Sequence, residues 1–276
     1  MKLLIAVPAL DYINVEFMRC LVALVQRLDR DGVNADVKIL SGTLVYVARD
    51  RLAAHAIGGG YTHVLWLDAD MVFDDELLYD LQFSGKPFVS GIARSRRFPF
   101  TSCLFKDLTT LERFEEYPRD TFRVAGCGFA CVLMSADLLK AIKNKYQTCF
   151  LPTACLGEDL AFCERAKAVG WEIWAEPAAR VGHIGQITIY PDDAEIQDLI
   201  DAALLDLGIA GVNNALVHDK LVQRAVITYC RMMFHSPADF ENLRWAYEAL
   251  KGQMAIATGY TEWGASGGSC GCPYTH

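Results

Sequence analysis

The first 190 residues alternate between short apolar runs and longer stretches in which apolar residues recur at helical spacing. Runs of strand length lie at 2–7, 36–40 and 63–67, and the intervening stretches 14–28 and 44–56 carry apolar residues every three or four positions. Strands that alternate with helices in this way are typical of an α/β protein with a parallel sheet. We therefore predict a mostly parallel, Rossmann-like twisted sheet that is flanked by helices.

The same alternation continues beyond the third strand. Ser41 or Thr43 is expected to cap the second helix. Gly126 and Gly128 interrupt a later apolar run, which is typical of a bulge or of a place where a ligand approaches the backbone. We predict a helix at 74–82, a strand at 87–90, an interrupted strand at 124–135, helices at 135–143 and 160–169, and a strand at 171–175.

After Gln186 the pattern becomes helical. Helices are predicted at 194–207, 214–233 and 238–250, and a glycine-rich tail follows at 264–276. We therefore divide the chain into a sheet-containing region at 1–190 and a helical C-terminal region at 191–276.

The composition indicates a folded protein with a sizeable core, because 53% of the 276 residues are hydrophobic. No run approaches the roughly 18 apolar residues that span a bilayer, and the run at 2–7 reads as a first strand rather than a signal peptide. Several of the ten cysteines lie inside apolar elements, which favours free thiols in a reducing compartment. We expect a cytoplasmic protein without stable membrane insertion. A net charge of −8 disfavours nonspecific binding to nucleic acid.

Two carboxylates follow the third predicted strand directly. Asp68 and Asp70 come immediately after the apolar run 63–67, with one residue between them. Ligands of open α/β sheets bind beyond the carboxyl ends of such strands. Mg²⁺ and Mn²⁺ take one or two protein carboxylates and complete their coordination with water and substrate phosphates. The pair therefore predicts a metal site and a phosphate-ester substrate, although aspartates also cap helices at such positions.

Three further features follow Asp68-Ala69-Asp70 in a fixed order. These are the glycine-broken segment 124–129, the acidic start of a helix at Gly157-Glu158-Asp159, and Gly182-His183-Ile184-Gly185. Together the four features resemble those of GT-A nucleotide-sugar glycosyltransferases, in which an Asp-x-Asp motif, a glycine loop, a Glu-Asp motif and a C-terminal metal-binding histidine occur in the same order. The resemblance covers roughly residues 1 to 190.

The resemblance implies that the chain binds a divalent cation, Mn²⁺ or Mg²⁺. Asp70 would then bind the metal directly, Asp68 would contact the metal or the donor ribose, and His183 would supply a third ligand. A mixed oxygen and nitrogen ligand set suits Mn²⁺ better than Ca²⁺. Without the other motifs, His183 would be interpreted as a structural histidine.

Glu158 and Asp159 are the candidates for the acceptor side. An inverting transferase needs a carboxylate that takes the proton of the attacking hydroxyl. By the resemblance Asp159 matches the family's base, and Glu158 would hold the acceptor or replace the base. A retaining enzyme needs this base less, and the sequence leaves the stereochemical outcome open.

The resemblance also points to residues that would contact the donor nucleotide. These are Pro8, Ala9 and Asp11 after the first strand, and Arg49 in the second helix. Arg94, Arg96 and Arg97 are candidates for contact with a diphosphate or an anionic acceptor, although a basic loop is also commonly exposed. Cys270, Cys272 and His276 offer three potential zinc ligands, where a structural zinc site requires four.

The sequence therefore predicts a metal-dependent glycosyltransferase with a UDP-sugar donor. The sequence does not distinguish among a polysaccharide, a lipid-linked sugar, a protein and a modified DNA base as the acceptor. The helical C-terminal region is expected to contribute to acceptor recognition or to oligomerisation. One alternative is a Mg²⁺-dependent nucleotidyltransferase, which would be expected to carry a glycine-rich basic loop where this chain has Val7-Pro8-Ala9-Leu10-Asp11. The other is a noncatalytic sugar- or nucleotide-binding module.

Overall fold

The computed structural model describes residues 1–10, 12–96, 100–185, 188–189, 194–213, 216–233, 240–257 and 259–261. The chain divides into two compact units, Met1–Pro191 and Asp192–His276. The strands of the first unit are β1 (Lys2–Pro8), β2 (Asn34–Leu40), β3 (His63–Leu67), β4 (Met71–Val72), β5 (Phe88–Ile92), β6 (Leu104–Phe105), β7 (Phe122–Val124), β8 (Gly126–Cys127), β9 (Cys131–Ser135), β10 (Ile173–Arg180), β11 (Gly182–Ile184) and β12 (Thr188–Ile189). Its helices are α1 (Val15–Arg30), α2 (Val45–Gly58), α3 (Leu77–Phe83), α4 (Ala136–Tyr146) and α5 (Glu158–Ala168).

A seven-stranded sheet forms the centre of the first unit, in the order β2-β1-β3-β9-β5-β10-β7. The pairings of β1 with β2, β1 with β3 and β5 with β10 are parallel. Strand β9 is antiparallel to both of its neighbours, and β7 is antiparallel to β10. Five of these seven strands therefore run in one direction. This confirms the predicted α/β class with a mostly parallel sheet flanked by helices.

Helices cover both faces of this sheet, and strand β1 shows how. Leu4 and Ala6 pack into a core shared with α2, α4 and α5, whereas Leu3, Ile5 and Val7 pack into a second core with α1 and α3. All five side chains are fully buried. Because consecutive strand residues point to opposite faces, a strand covered on both sides must be apolar throughout, as this one is.

Side-chain caps define the starts of two helices. Asn14 caps α1, since its side chain accepts a hydrogen bond from the Glu16 N–H at 2.8 Å, and Ser135 caps α4 in the same way. The expectation that Ser41 or Thr43 caps α2 is wrong. That helix begins at Val45, with Leu44 as its N-cap and without a side-chain cap bond.

A small antiparallel pairing lies beside the end of β3. Strand β4 pairs with β11, so that His183 lies opposite Met71 and Gly182 opposite Val72. The Ile184 N–H also donates to the Asp70 carbonyl at 2.7 Å. This pairing brings a segment from the end of the first unit to the turn that carries the two aspartates.

The second unit contains helices α6 (Ala194–Ile209), α7 (Lys220–Met233) and α8 (Phe240–Ile256). Asp206 links α6 to α8, because it accepts hydrogen bonds from the Tyr247 hydroxyl at 2.7 Å and from the Lys251 ammonium at 2.9 Å. Helix α7 begins later than predicted, since Asp219 accepts from the N–H groups of Leu221 and Val222 and thereby defines its start. None of the described helices is both long and apolar enough to cross a membrane.

Candidate functional site

The two aspartates of the Asp-x-Asp motif lie in a tight turn at the carboxyl end of β3. The Asp68 N–H donates to the Ala130 carbonyl at 3.1 Å, and the Met71 N–H donates back to the Asp68 carbonyl at 3.3 Å. The first bond extends the β3–β9 ladder by one residue and the second closes the turn. Asp68 and Asp70 are therefore fixed at the edge of the sheet where strand β1 also ends, at Pro8.

Asp70 and His183 are in direct contact, although 113 positions separate them in sequence. The His183 Nε2 lies 3.3 Å from the Asp70 Oδ2, and its Nδ1 lies 2.9 Å from the Arg94 carbonyl oxygen. A carbonyl oxygen only accepts, so Nδ1 carries a hydrogen. In the neutral imidazole the lone pair of Nε2 therefore faces a carboxylate oxygen, and a cation or a proton must lie between them.

The pKa values of this pair agree with that arrangement. Burial pushes the pKa of Asp70 up, but the hydrogen bond and charge of His183 together with the Arg96 charge outweigh it, so the pKa is lowered. Burial likewise lowers the pKa of His183, but the hydrogen bond and charge of Asp70 outweigh it and raise the pKa. Asp70 is thus held ionised, and the space next to it favours positive charge. The Arg96 guanidinium also pairs with the Asp70 Oδ2.

Arg49 lies at the centre of a second group of charged residues. Its side chain is only 3% exposed. One guanidinium nitrogen donates to the Asp68 Oδ1 at 2.7 Å and the other to the Glu158 Oε1 at 2.8 Å. Burial lowers the pKa of Arg49, but the charges of Asp68, Glu158 and Asp159 outweigh it and raise the pKa. The arginine is therefore a permanent cation among three carboxylates.

Asp159 lies at the start of α5 beside two glycines. A Cβ placed on Gly128 would lie 3.6 Å from the Asp159 Oδ2, and one on Gly157 would lie 3.4 Å from the Oδ1. The pKa of Asp159 is raised, chiefly by burial and also by the charges of Glu158 and Asp68, against the opposing effect of Arg49. The glycines thus leave space next to a carboxylate that holds its proton more tightly than an ordinary aspartate. Burial and the Asp70 charge also raise the pKa of Asp68, against Arg49.

The structure brings most of the predicted site residues together. Asp68 and Glu158 meet at Arg49, and Asp70 meets His183. Among the described residues, no group of three or more His, Cys, Asp or Glu side chains is close enough to hold a metal ion. Predicted residues that lie outside the described part of the chain are Asp11, Arg97, Cys270, Cys272 and His276.

Sequence reasoning missed two groups of this site. The Arg94 carbonyl orients His183. Every residue has a backbone carbonyl, so the sequence does not indicate which one makes this contact. Phe129 lies under Arg49, with the guanidinium carbon 5.2 Å from the ring centroid. Its position in the glycine-broken segment 124–129 was the available signal, because an aromatic ring there offers a face over which an arginine can lie.

Comparisons with known proteins give similarity at the level of fold. No protein-family model matches the chain, and no curated protein sequence matches it either. Among solved structures, A197 from STIV aligns with 70% of this chain and 91% of its own, at 20% identity and a TM-score of 0.51. This alignment shows that the two proteins share a fold. GalNAc-T7, solved with UDP, GalNAc and Mn²⁺, aligns with 94% of this chain and 58% of its own, at 10% identity and a TM-score of 0.44.

Proposed function

We propose that the first unit is a metal-dependent glycosyltransferase that moves a sugar from a UDP-sugar to an acceptor hydroxyl. The observation that supports this most directly is the contact between Asp70 and His183, in which the His183 Nε2 lies 3.3 Å from the Asp70 Oδ2. The donor nucleotide would lie at the carboxyl ends of β1 and β3, near Pro8 and Asp68, because ligands of α/β sheets bind at that edge.

The residues present fit a divalent cation. Asp70 and His183 would hold it, with Asp68 close by, and a donor diphosphate and water would complete its coordination, as is usual for Mg²⁺ and Mn²⁺. The Nδ1–H bond of His183 to a backbone carbonyl is the orientation that metal-bound histidines commonly have. An imidazole next to a carboxylate favours Mn²⁺. The bound cation would stabilise the negative charge that develops on the leaving diphosphate.

Asp159 is the group in this site that is best suited to act as the base. In the proposed reaction the acceptor oxygen forms a bond to the anomeric carbon, the bond from that carbon to the diphosphate breaks, and the acceptor proton moves to the Asp159 Oδ2. The raised pKa makes the ionised form of Asp159 a stronger base than an ordinary aspartate. Glu158 is less suited to this role because its carboxylate pairs with Arg49.

The proposal is tested by a screen of nucleotide sugars with the full-length protein. Many transferases pass their sugar slowly to water, so release of UDP that depends on Mn²⁺ and stops with EDTA is the expected result. Release of pyrophosphate instead would indicate a nucleotidyltransferase. Binding of UDP and Mn²⁺ without turnover, in the presence of candidate polysaccharide, glycolipid, protein and DNA acceptors, would indicate a noncatalytic module.

A substitution of Gly128 tests whether the space beside Asp159 is used. In Gly128→Ala the new methyl group would lie 3.4 Å from the Cys103 Cβ and 3.6 Å from the Asp159 Oδ2, which are ordinary contacts. We expect a normal melting temperature and a kcat for transfer to the acceptor that falls about tenfold to a hundredfold, because a misplacement of about 1 Å has that effect. An unchanged kcat would show that the acceptor does not enter beside Gly128.

A further inference from the structure

Arg49 contacts three of the four motif segments of the site. It donates to Asp68 of the Asp-x-Asp turn and to Glu158 at the start of α5, and its guanidinium lies over the ring of Phe129 in the glycine loop. The fourth segment, around His183, is linked to the same turn through Asp70. One buried side chain on α2 thus reaches a residue that is 109 positions away in sequence.

Both terminal nitrogens of Arg49 are occupied by protein carboxylates. The distances of 2.7 Å and 2.8 Å are those of short, charge-assisted hydrogen bonds. The family resemblance implied that Arg49 contacts the donor nucleotide, and such a residue would present its guanidinium to the pocket. At 3% exposure, the side chain is instead held between the motifs.

The helix that carries Arg49 is itself fixed to the segment that precedes α5. The Asp50 Oδ1 accepts hydrogen bonds from the N–H groups of Cys149 and Phe150, at 2.7 Å and 3.0 Å. Phe150 packs on Phe129 with ring centroids 5.1 Å apart. Adjacent residues of α2 therefore hold the start of α5 and the segment before it, and Arg49 also holds Asp68.

We infer that Arg49 is a positioning residue that couples the donor side of the site, at Asp68, to the acceptor side, at Glu158 and Asp159. The inference rests on the proposed glycosyltransferase function and assigns Arg49 a role other than binding the donor. A planar guanidinium with two parallel donor groups can bridge two carboxylates in a fixed geometry, whereas an ammonium group is a single point of charge. The positive charge alone is therefore insufficient for this role.

The test uses Arg49→Lys, which keeps the charge and most of the packing but cannot bridge both carboxylates. Backbone hydrogen exchange is measured first, on the metal-free protein. We expect exchange to become at least about tenfold faster at 66–69 and 157–161, while α1 exchanges as in the wild type, because the local opening free energy of only the two linked segments is reduced. Unchanged exchange at both segments would overturn the inference.

Steady-state kinetics of Mn²⁺-dependent UDP-sugar hydrolysis or transfer provide the second measurement. We expect kcat of Arg49→Lys to fall about tenfold to a hundredfold while the donor KM stays within about threefold, since the substitution disturbs alignment and removes no donor contact. A rise of the donor KM by tenfold or more with an unchanged kcat would make Arg49 a donor-binding residue and overturn the inference.

Two further variants complete the design. In Arg49→Lys/Glu158→Gln, kcat should be no more than about threefold below that of Glu158→Gln alone, because both substitutions break the same link. The matched control is Arg27→Lys, since Arg27 on α1 also pairs with two carboxylates, those of Asp31 and Glu76, and neither belongs to the site. The kcat of this control should stay within about twofold of the wild-type value. Fully additive losses of kcat in Arg49→Lys/Glu158→Gln would contradict the coupling.

Failure of the proposed function is distinguishable from failure of this inference. A wild-type protein that turns over no nucleotide sugar with Mn²⁺ would refute the glycosyltransferase proposal, and the exchange experiment would still decide whether Arg49 fixes the two segments. An active wild type whose Arg49→Lys variant has wild-type exchange and kcat would refute the inference alone.

Discussion

Replacing Asp70 with asparagine is expected to lower kcat/KM for Mn²⁺-dependent sugar transfer by about a thousandfold or more. The asparagine amide keeps the shape of the side chain but removes the charge that faces His183 at 3.3 Å. A bound metal contributes several kcal/mol to the stabilisation of transition-state charge, and each 1.36 kcal/mol corresponds to a factor of ten in rate. The measurements are the Mn²⁺ dissociation constant by calorimetry and the transfer rate at saturating Mn²⁺.

The same substitution has an effect that is visible without metal or substrate. Burial lowers the pKa of His183, and Asp70 outweighs burial through a hydrogen bond and its charge. In Asp70→Asn the pKa of His183 should therefore fall, which an NMR titration of the imidazole would detect. An unchanged pKa would show that the two side chains are not in contact in solution.

Asp74 provides the matched control for this prediction. It lies four positions further along the same segment, is exposed, and its side chain accepts a hydrogen bond from the Glu76 N–H near the start of α3. Asp74→Asn changes the same number of charges without touching His183, and its transfer rate and Mn²⁺ affinity should match those of the wild type. Equal losses in both variants would attribute the effect of Asp70→Asn to net charge and refute the metal assignment.

The features of the fold that the sequence predicted are those that depend on neighbouring residues. Two local patterns mark β3: a continuous apolar run, and two carboxylates directly after it. A strand that is buried on both faces must have such an apolar run. Asn14 and Ser135 cap helices through bonds to residues two positions away. Fold class and the position of the Asp-x-Asp turn follow from such patterns.

The contacts that define the site depend on long-range register, which local patterns do not contain. The approach of His183 to Asp70 results from a two-residue pairing between β4 and β11, and neither strand is long enough to show periodicity. The direction of β9, antiparallel in the middle of the sheet, is likewise set by its connections. The resemblance to a family predicted that these residues converge, whereas the Arg49 bridge was not predicted.

Arg49 leaves the acidic side of the site only partly neutralised. It is one cation among Asp68, Glu158 and Asp159, and the pKa values of Asp68 and Asp159 remain raised in its presence. Two half-buried carboxylates beside an ionised Asp70 create a region that attracts cations. A negatively charged donor would therefore be expected to bind together with its metal, and UDP affinity should rise when Mn²⁺ is present.

Replacing Asp159 with asparagine is expected to reduce kcat for sugar transfer by about a hundredfold to ten-thousandfold, the usual contribution of a general base. In the wild type the rate should rise with pH as Asp159 loses its proton, at a pH above that of an ordinary aspartate because burial and the neighbouring carboxylates raise its pKa. The acidic limb of the pH–rate profile should disappear in Asp159→Asn. Glu164→Gln, an exposed position on the same helix, is the control.

Asp159→Asn should lose activity without losing stability. A carboxyl group whose pKa is raised by folding stabilises the fold only at low pH, and this contribution is lost as the pH rises through its folded pKa. Above that pKa, burial disfavours the ionised Asp159 but would not disfavour a neutral asparagine. The side-chain oxygen of the asparagine can still accept the hydrogen bond that the Leu160 N–H donates to Asp159 at 2.8 Å. The melting temperature at neutral pH should therefore equal or exceed that of the wild type. A lower melting temperature would mean that the carboxylate supports the fold, and the loss of kcat would then not identify Asp159 as the base.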